Sequence, residues 1–321
     1  MDVRQLRYFI AIVEQGSFSR AATVLRIAQP ALSLHVRNME AHLGAPLLFR
    51  SPKGAVPTEA GEILLRNARI IVEQLAITEE EIRSNESDPR GLVRLGLPGT
   101  ISEILSVPLI TAARQRYPGI QLRIAEAMSG FVLEWMRDAR IDLAVIYRKV
   151  SGDGLSTEEL LEEELAFFGP AGGLNDGETL PAPGTRVSLA GVAGLPLIVP
   201  GEDHGLRLLL DHHAEVAGVD MNVAIEVDSY TNIKKLVAAG FGCSVLPLHS
   251  ISGEVAEGAL QSWTIDGPPI RRPVHLACSV ERPMTNAVAA IRDFIPELVR
   301  DLAREGAWGG VSEPAADCEK G

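Results

Sequence analysis

Residues 19–44 read S-R-A-A-T-V-L-R-I-A-Q-P-A-L-S-L-H-V-R-N-M-E-A-H-L-G, the pattern of two short amphipathic helices joined by a tight turn. Ala21, Ala22 and Leu25 make the buried face of the first helix. In the second, Leu32, Val36, Met39 and Leu43 recur at steps of four, three and four and form one apolar stripe. Pro30 falls in the first turn, where its missing N–H would have no partner in any case, and Gly44 ends the helix. The opposite face presents Gln29, Pro30, Ser33, Leu34 and Arg37. Alone, such a face is an ordinary solvated surface; the flanking residues give it a second use.

Upstream, residues 4–15 form a helix with Leu6, Phe9, Ile10 and Val13 on one face, closed by Gly16, and Ser17 or Ser19 can cap the helix that follows. Downstream, residues 45–57, A-P-L-L-F-R-S-P-K-G-A-V-P, cannot be helical through Pro52, Gly54 and Pro57. They read as two short strands around Pro52-Lys53-Gly54, a β-wing with Arg50 and Lys53 near its tip. Three helices and a basic wing make a winged helix-turn-helix. In that arrangement the second helix of the pair enters the major groove and the wing follows the phosphates or the minor groove.

The chain of 321 residues carries a net charge of −12, which at first argues against a nucleic-acid partner. The distribution reverses that. Residues 1–58 hold seven Lys/Arg against three acidic side chains, a local +4, leaving −16 on the rest. A small basic domain on a large acidic body binds phosphates locally while the body resists indiscriminate adhesion. The length calls for two or three domains, and no targeting segment leads the chain, since Met1 runs directly into Asp2, Arg4 and Arg7. The longest uncharged stretch, 236–253, contains three glycines, a proline and His249 and is no membrane span. Cys243, Cys278 and Cys318 are scattered and odd in number, which suits free thiols in a reducing cytoplasm better than a disulfide framework; a redox-switch pair lacks activating basic neighbours.

The strings L-R-Y-F-I-A-I-V-E-Q-G-S-F-S-R-A-A, A-Q-P-A-L-S and L-G-A-P-L-L-F-R-S-P-K-G-A-V-P-T-E-A-G together resemble the N-terminal signature of LysR-type transcriptional regulators over about sixty residues, in order and at family spacing. The L-L-x-R and V-P-T-E-A-G variants, with G-L-P-G-T further on, are most similar to the nitrogen assimilation control subgroup. The resemblance implies DNA contacts from Gln29, Pro30, Ser33, Leu34 and Arg37 on the recognition helix and from Arg50 and Lys53 on the wing. Two residues depart from the family pattern. Ala28 stands where many members cap the helix with Ser or Thr, so the helix start would lean on Gln29. Leu34 replaces a frequently polar reader and would meet a thymine methyl or nothing.

Thr58 begins a long helix with Glu59 and Glu62 in its first turn, running to about Ser84. Leu64, Ala68, Ile71, Leu75, Thr78 and Ile82 are spaced 4, 3, 4, 3, 4, the heptad seam of a two-helix contact. Packing on the chain's own body is the alternative; a dimer linker after the wing is also the family's arrangement. Residues 84–91, S-N-E-S-D-P-R-G, form a hinge.

From Leu92 strands and helices alternate: strands at 92–97, 120–126 and 142–147, helices at 101–117 and 131–139, a βαβαβ unit with a parallel sheet. A second unit has strands near 164–169, 197–199, 223–228 and 243–246 and helices near 205–217 and 230–239. A strand at 273–280 and a helix at 285–304 return to the first unit. Two such lobes resemble a periplasmic-binding-protein-like α/β domain and the LysR effector domain. The expected plan is a multidomain chain: winged helix-turn-helix at 1–58, linker helix and hinge at 59–89, effector domain at 90–305, and a disordered Gly/Pro/acid-rich tail at 306–321. Within the effector domain, lobe I takes 90–162 and 265–305 and lobe II takes 163–264.

In a two-lobe domain a ligand sits at strand C-termini and helix N-termini, where free N–H groups favour an anion. The first strand ends in L-P-G-T-I-S, which places Thr100 and Ser102 there, and the resemblance adds Ser129, Arg148, Gly201 and Ser229. Caps, turns and a surface ion pair for Arg148 are the plain alternatives. No G-x-S-x-G, H-E-x-x-H or phosphate-loop pattern occurs. Gly240-Phe241-Gly242 reads as a turn, His204, His212 and His213 match no common metal spacing, and the acidic run 162–164 reads as a solvated face. The sequence therefore points to a cytoplasmic transcription regulator that is not an enzyme. It would bind duplex DNA at an inverted repeat as a dimer or tetramer and contact RNA polymerase. It would need no cofactor beyond a small anionic co-inducer and would have no membrane association. A solute-binding protein or small α/β enzyme with an incidental helical extension is the rival, disfavoured by the positive N-terminal segment.

Overall fold

The first helix, α1 (Val3–Gln15), starts at a reciprocal cap: the Gln5 N–H donates to the Asp2 carboxylate, and the Asp2 N–H donates to the Gln5 side chain. The computed structural model describes residues 1–51, 54–83, 89–150, 152, 154–267 and 269–312, with the backbone alone at 50, 51, 77 and 80–83. Of the two candidate caps for α2 (Phe18–Leu25), Ser17 takes the position, its hydroxyl accepting from the Arg20 N–H. α3 (Gln29–Leu43) follows after a left-handed Arg26. Leu6, Phe9, Ile12, Ala21, Ala22, Leu32, Val36 and Met39 form the core of this three-helix unit. Four residues differ from the expectation. Ile10, Val13 and Leu25 only flank the core, with Ile12 fully buried instead, and Leu43, the last helical residue, lies beyond the packed turns and is 42% exposed.

The wing is an antiparallel pair, β1 (Leu48–Ser51) and β2 (Gly54–Pro57). It is tied to the turn after α1 by the Ala55 N–H donating to Gly16 O at 2.9 Å. A Cβ at Gly54 (φ 141°) would sit 2.4 Å from that same carbonyl oxygen, so the approach requires glycine.

Thr58 caps α4 (Glu59–Arg83): its hydroxyl accepts from the Gly61 N–H at 3.0 Å and donates to Pro46 O at 2.7 Å. The heptad expectation is corrected here. Leu64 and Ala68 are buried in the chain's own N-terminal core, because α4 packs along α1, so they are not available to a partner helix. Ile71 is 45% exposed, with Ile63 and Ile70 exposed beside it and Leu75 half-buried; the Ile82 side chain lies outside the described residues. The other side of α4 meets lobe I. Arg69 donates to Asp138 O at 3.1 Å, and Glu73 sits between Arg94 and Arg282 beside Asp142. Arg94 holds Asp142 through two guanidinium nitrogens at 3.1 and 2.7 Å. Burial, then the Asp142 charge, lifts Glu73 to about 7 despite the two arginines. The expected hinge at 84–91 falls largely on 84–88, outside the described residues.

Lobe I is built from β3 (Gly91–Leu97), α5 (Gly99–Arg116), β4 (Ile120–Glu126), α6 (Ser129–Arg137) and β5 (Leu143–Ile146), with β4, β3 and β5 parallel. β6 (Leu155–Pro170) then runs through both lobes. Lobe II adds α7 (Leu189–Val192), β7 (Leu197–Val199), α8 (Gly205–Ala217), β8 (Val223–Glu226), α9 (Tyr230–Ala238), β9 (Ser244–Pro247), α10 (Leu248–Ala256) and β10 (Leu260–Thr264). β11 (Arg271–Ser279), α11 (Asn286–Arg304) and β12 (Val311–Ser312) return to lobe I. The lobe I sheet is mixed, since β11 lies between β5 and β6 and runs antiparallel to both, whereas the βαβαβ pattern alone implies a parallel sheet. Lobe I's cores lie on both faces of that sheet, under α5 and α11 and under α6. Lobe II has its own core around Phe167, Phe168, Ile198, Ile233 and Trp263.

β6 extends nine residues upstream of the expected strand, through the acidic run. By the two-residue period of a strand, Glu163 points inward while its neighbours point out, and it is 1% exposed: the run is not uniformly solvated. The tail also differs from expectation. Residues 306–312 are ordered, with Trp308 fully buried and β12 pairing with β6 across Val311↔Glu163; 313–321, with Cys318, lies outside the described residues. Cys243 and Cys278 belong to different lobes' cores. No helix of the described residues is long and apolar enough to cross a membrane.

Candidate nucleic-acid interface and ligand cleft

The buried stripe of α3 fixes which residues it shows to solvent. With Leu32, Val36 and Met39 turned inward, Gln29, Pro30, Leu34 and Arg37 are exposed and Ser33 is half-buried. Gln29 Nε2 donates to Ser33 Oγ at 3.5 Å, one turn along the helix, and Leu34 is 53% exposed. Ala28 stands at the N-cap with no side-chain hydrogen bond, and Gln29 does not substitute for the missing cap. The wing lies next to this surface in the chain and carries an exposed cross-strand pair, Phe49 and Val56. Lys53 and the Arg50 side chain lie outside the described residues.

The second site is a cleft of about 1010 Å³ between the lobes. Four helices begin on it, because Gly99, Ser129, Gly205 and Tyr230, the first residues of α5, α6, α8 and α9, all line it. Their free N–H groups and dipoles make the cleft receptive to an anionic group. Of the residues expected here, Ser102, Ser129, Arg148 and Ser229 do line it. Ser229 is engaged as the cap of α9, Ser102 pairs with Ser106 at 3.0 Å, and exposed Arg148 makes no ion pair among the described residues. Two differ. Thr100 is fully buried beneath the cleft, its hydroxyl 2.5 Å from the Tyr147 hydroxyl, and Gly201 lies outside the lining, its N–H donating to Asp228 at 3.0 Å.

Sequence reading missed the cationic side chain of the inner wall. Arg272 is 4% exposed, with its guanidinium 3.2 Å from the centroid of the Tyr147 ring. Burial works against its charge, but Tyr230, Tyr147 and Glu163 around it outweigh that and keep it protonated. The available signal was strand alternation in P-I-R-R-P-V-H: one of two adjacent arginines must share the inward face of Val274. His204 caps α8, its Nδ1 accepting from the Leu206 N–H at 3.1 Å while Nε2 lies 3.2 Å from the Tyr230 hydroxyl. Burial and the nearby Arg272 lower its pKa to about 4. His249 is likewise lowered to about 4, chiefly by burial, so its 3.6 Å approach to Glu163 is not an ion pair near neutral pH. No group of three or more metal-binding side chains is assembled among the described residues.

Comparison with known proteins agrees with both halves. Residues 3–62 match the model of the bacterial regulatory helix-turn-helix protein, lysR family, and residues 86–300 match the LysR substrate binding domain. The chain is 30% identical over 302 residues to the nitrogen assimilation regulatory protein nac of Klebsiella aerogenes, which spans 93% of this chain and 95% of that one. A full-length OxyR variant from Pseudomonas aeruginosa shares its fold, with a TM-score of 0.73 at 24% identity over 92% of this chain and 98% of that one. So does full-length CbnR in complex with its target DNA, with a TM-score of 0.55 at 22% identity over 93% and 100%. The reading head and the two-lobe body are thus matched in order, and the chain belongs to the LysR family as a DNA-binding transcriptional regulator.

Proposed function

We propose that α3 reads the major groove with Gln29, Ser33 and Arg37 at base edges, Pro30 and Leu34 against apolar edges such as a thymine methyl, and Arg50 and Lys53 of the wing on phosphates. The observation that carries this reading is the α3 face itself. Gln29 and Arg37 are exposed and Ser33 half-buried, while Leu32, Val36 and Met39 anchor the helix behind them. Two copies joined through the exposed apolar side of α4, with Ile63, Ile70 and Ile71 at its centre, would present two recognition helices to an inverted repeat as a dimer or a pair of dimers.

The cleft between the lobes is the proposed effector site, and the likeness to nac supports a role in nitrogen assimilation. A sensing role suits the cleft better than catalysis. Its lining histidine, His204, is kept neutral and has both ring nitrogens engaged, which leaves it no free base. Action in the cytoplasm and contact with RNA polymerase complete the proposal. The test is a base-substitution series on a bound promoter site. Gln29→Ala should relax preference at one base position, at about 1–3 kcal/mol, whereas Lys53→Ala should weaken every sequence alike. Uniform weakening by Gln29→Ala would contradict the assignment.

A further inference from the structure

This inference rests on the cleft being an effector site and narrows the chemistry of its occupant. Two layers of opposite charge face the cleft. On the inner wall, Arg272 leaves its Nη1 with no hydrogen-bond partner among the described residues, although the side chain is buried. A buried guanidinium nitrogen lacking an acceptor is unfavourable even where Tyr230 and Tyr147 engage the rest of the group, and what best completes it is a planar carboxylate. The rim has the other sign. Glu126 at the end of β4, Glu134 on α6 and Asp203 before α8 line the cleft and are exposed, and none has an ion-pair or hydrogen-bond partner among the described residues. Among the described lining residues, Arg148 is the one exposed basic side chain.

From this juxtaposition we infer that the cleft takes a small zwitterion, an amino-acid-like molecule with its carboxylate on Arg272 and its ammonium group toward Glu126, Glu134 and Asp203. A dicarboxylate would place its second charge toward three carboxylates that are offset on the rim by Arg148 alone. A diamine would leave Arg272 Nη1 without an acceptor and bring a cation toward it. The inference thereby replaces a simple anion with a molecule carrying both charges.

The experiment is thermal unfolding and calorimetric titration of the full chain with probes of matched length at equal concentration: δ-aminovalerate and ornithine, glutarate, and cadaverine. Saturable stabilisation is expected with the first two and not with glutarate or cadaverine. Arg272→Gln should weaken δ-aminovalerate by at least about tenfold, and the surface variants Glu126→Gln and Asp203→Asn, which leave the core untouched, by about threefold to tenfold. Stronger binding of glutarate, or tighter binding once the rim is neutralised, would overturn the zwitterion while leaving the cleft an effector site. No saturable response to any probe would overturn both, and DNA binding, measured separately, would be unaffected by that result.

Discussion

Trp308, in the segment beyond the last long helix, donates its indole N–H to Glu163 Oε1 across 3.0 Å, and both side chains are buried. Glu163 stands on the strand common to both lobes, so the end of the described chain is fastened at their junction. Trp308→Ala should lower unfolding free energy by about 3–5 kcal/mol through the lost packing. Trp308→Phe keeps most of the buried area but removes the indole donor from Glu163 Oε1, at about 1–3 kcal/mol. Denaturant midpoints should therefore fall in the order wild type, Phe, Ala. An unchanged midpoint for the Ala variant would contradict the fastening.

Burial lifts Glu163 from 4.5 to about 7, although Arg272 and Trp308 pull the other way. Between these values the folded chain holds a proton that the unfolded chain has released. Stability from this group is therefore present below pH 4.5 and is lost as pH rises toward 7, with a limiting slope of about 1.4 kcal/mol per pH unit. Glu73 contributes in the same direction, so the readout is the difference between wild type and Glu163→Gln. That variant should show a flatter pH profile and should be the more stable protein above pH 7. Parallel profiles would sink the assignment.

The two ends of the presumed seam on α4 should behave differently. Leu64→Ala opens the N-terminal core and should destabilise the folded protomer by about 2–5 kcal/mol. Ile71→Glu touches an exposed position and should leave protomer folding nearly unchanged while weakening self-association in sedimentation experiments. Association that is indifferent to Ile71→Glu would place the dimer contact elsewhere.

The start of α3 lacks a side-chain cap. Ala28→Ser supplies a side-chain acceptor for the Ala31 N–H, which now donates to Ala28 O at 3.0 Å, and should stabilise the N-terminal domain by about 0.5–2 kcal/mol, read as a higher unfolding midpoint. A lower midpoint would mean that the present backbone cannot accept the cap.

Periodicity made the N-terminal domain legible. The steps of Leu32, Val36 and Met39 determine the exposed face without reference to any distant residue, and glycine and proline mark the wing. The cleft was legible only where helix starts define it, as at Ser129 and Ser229. Glu163 read as part of a solvated face and Arg272 gave no signal of its own, because their burial depends on strands from opposite ends of the domain coming together, with Arg272 registered opposite Glu163. Leu64 and Ala68 satisfy a heptad as well as they satisfy packing on α1, and spacing alone does not separate those two uses. Gly54 shows the same limit: its need for glycine comes from the Gly16 carbonyl, a long way upstream in the chain.

The basic N-terminal unit of an otherwise acidic chain is the part that reads DNA. The most direct measurement is equilibrium binding of the full chain to a promoter duplex over a range of salt, alongside an unrelated duplex. Affinity should fall steeply with salt on a log–log plot, through counterion release, with tighter binding to the promoter at every salt concentration. A flat slope, or equal affinity for the two duplexes, would contradict it.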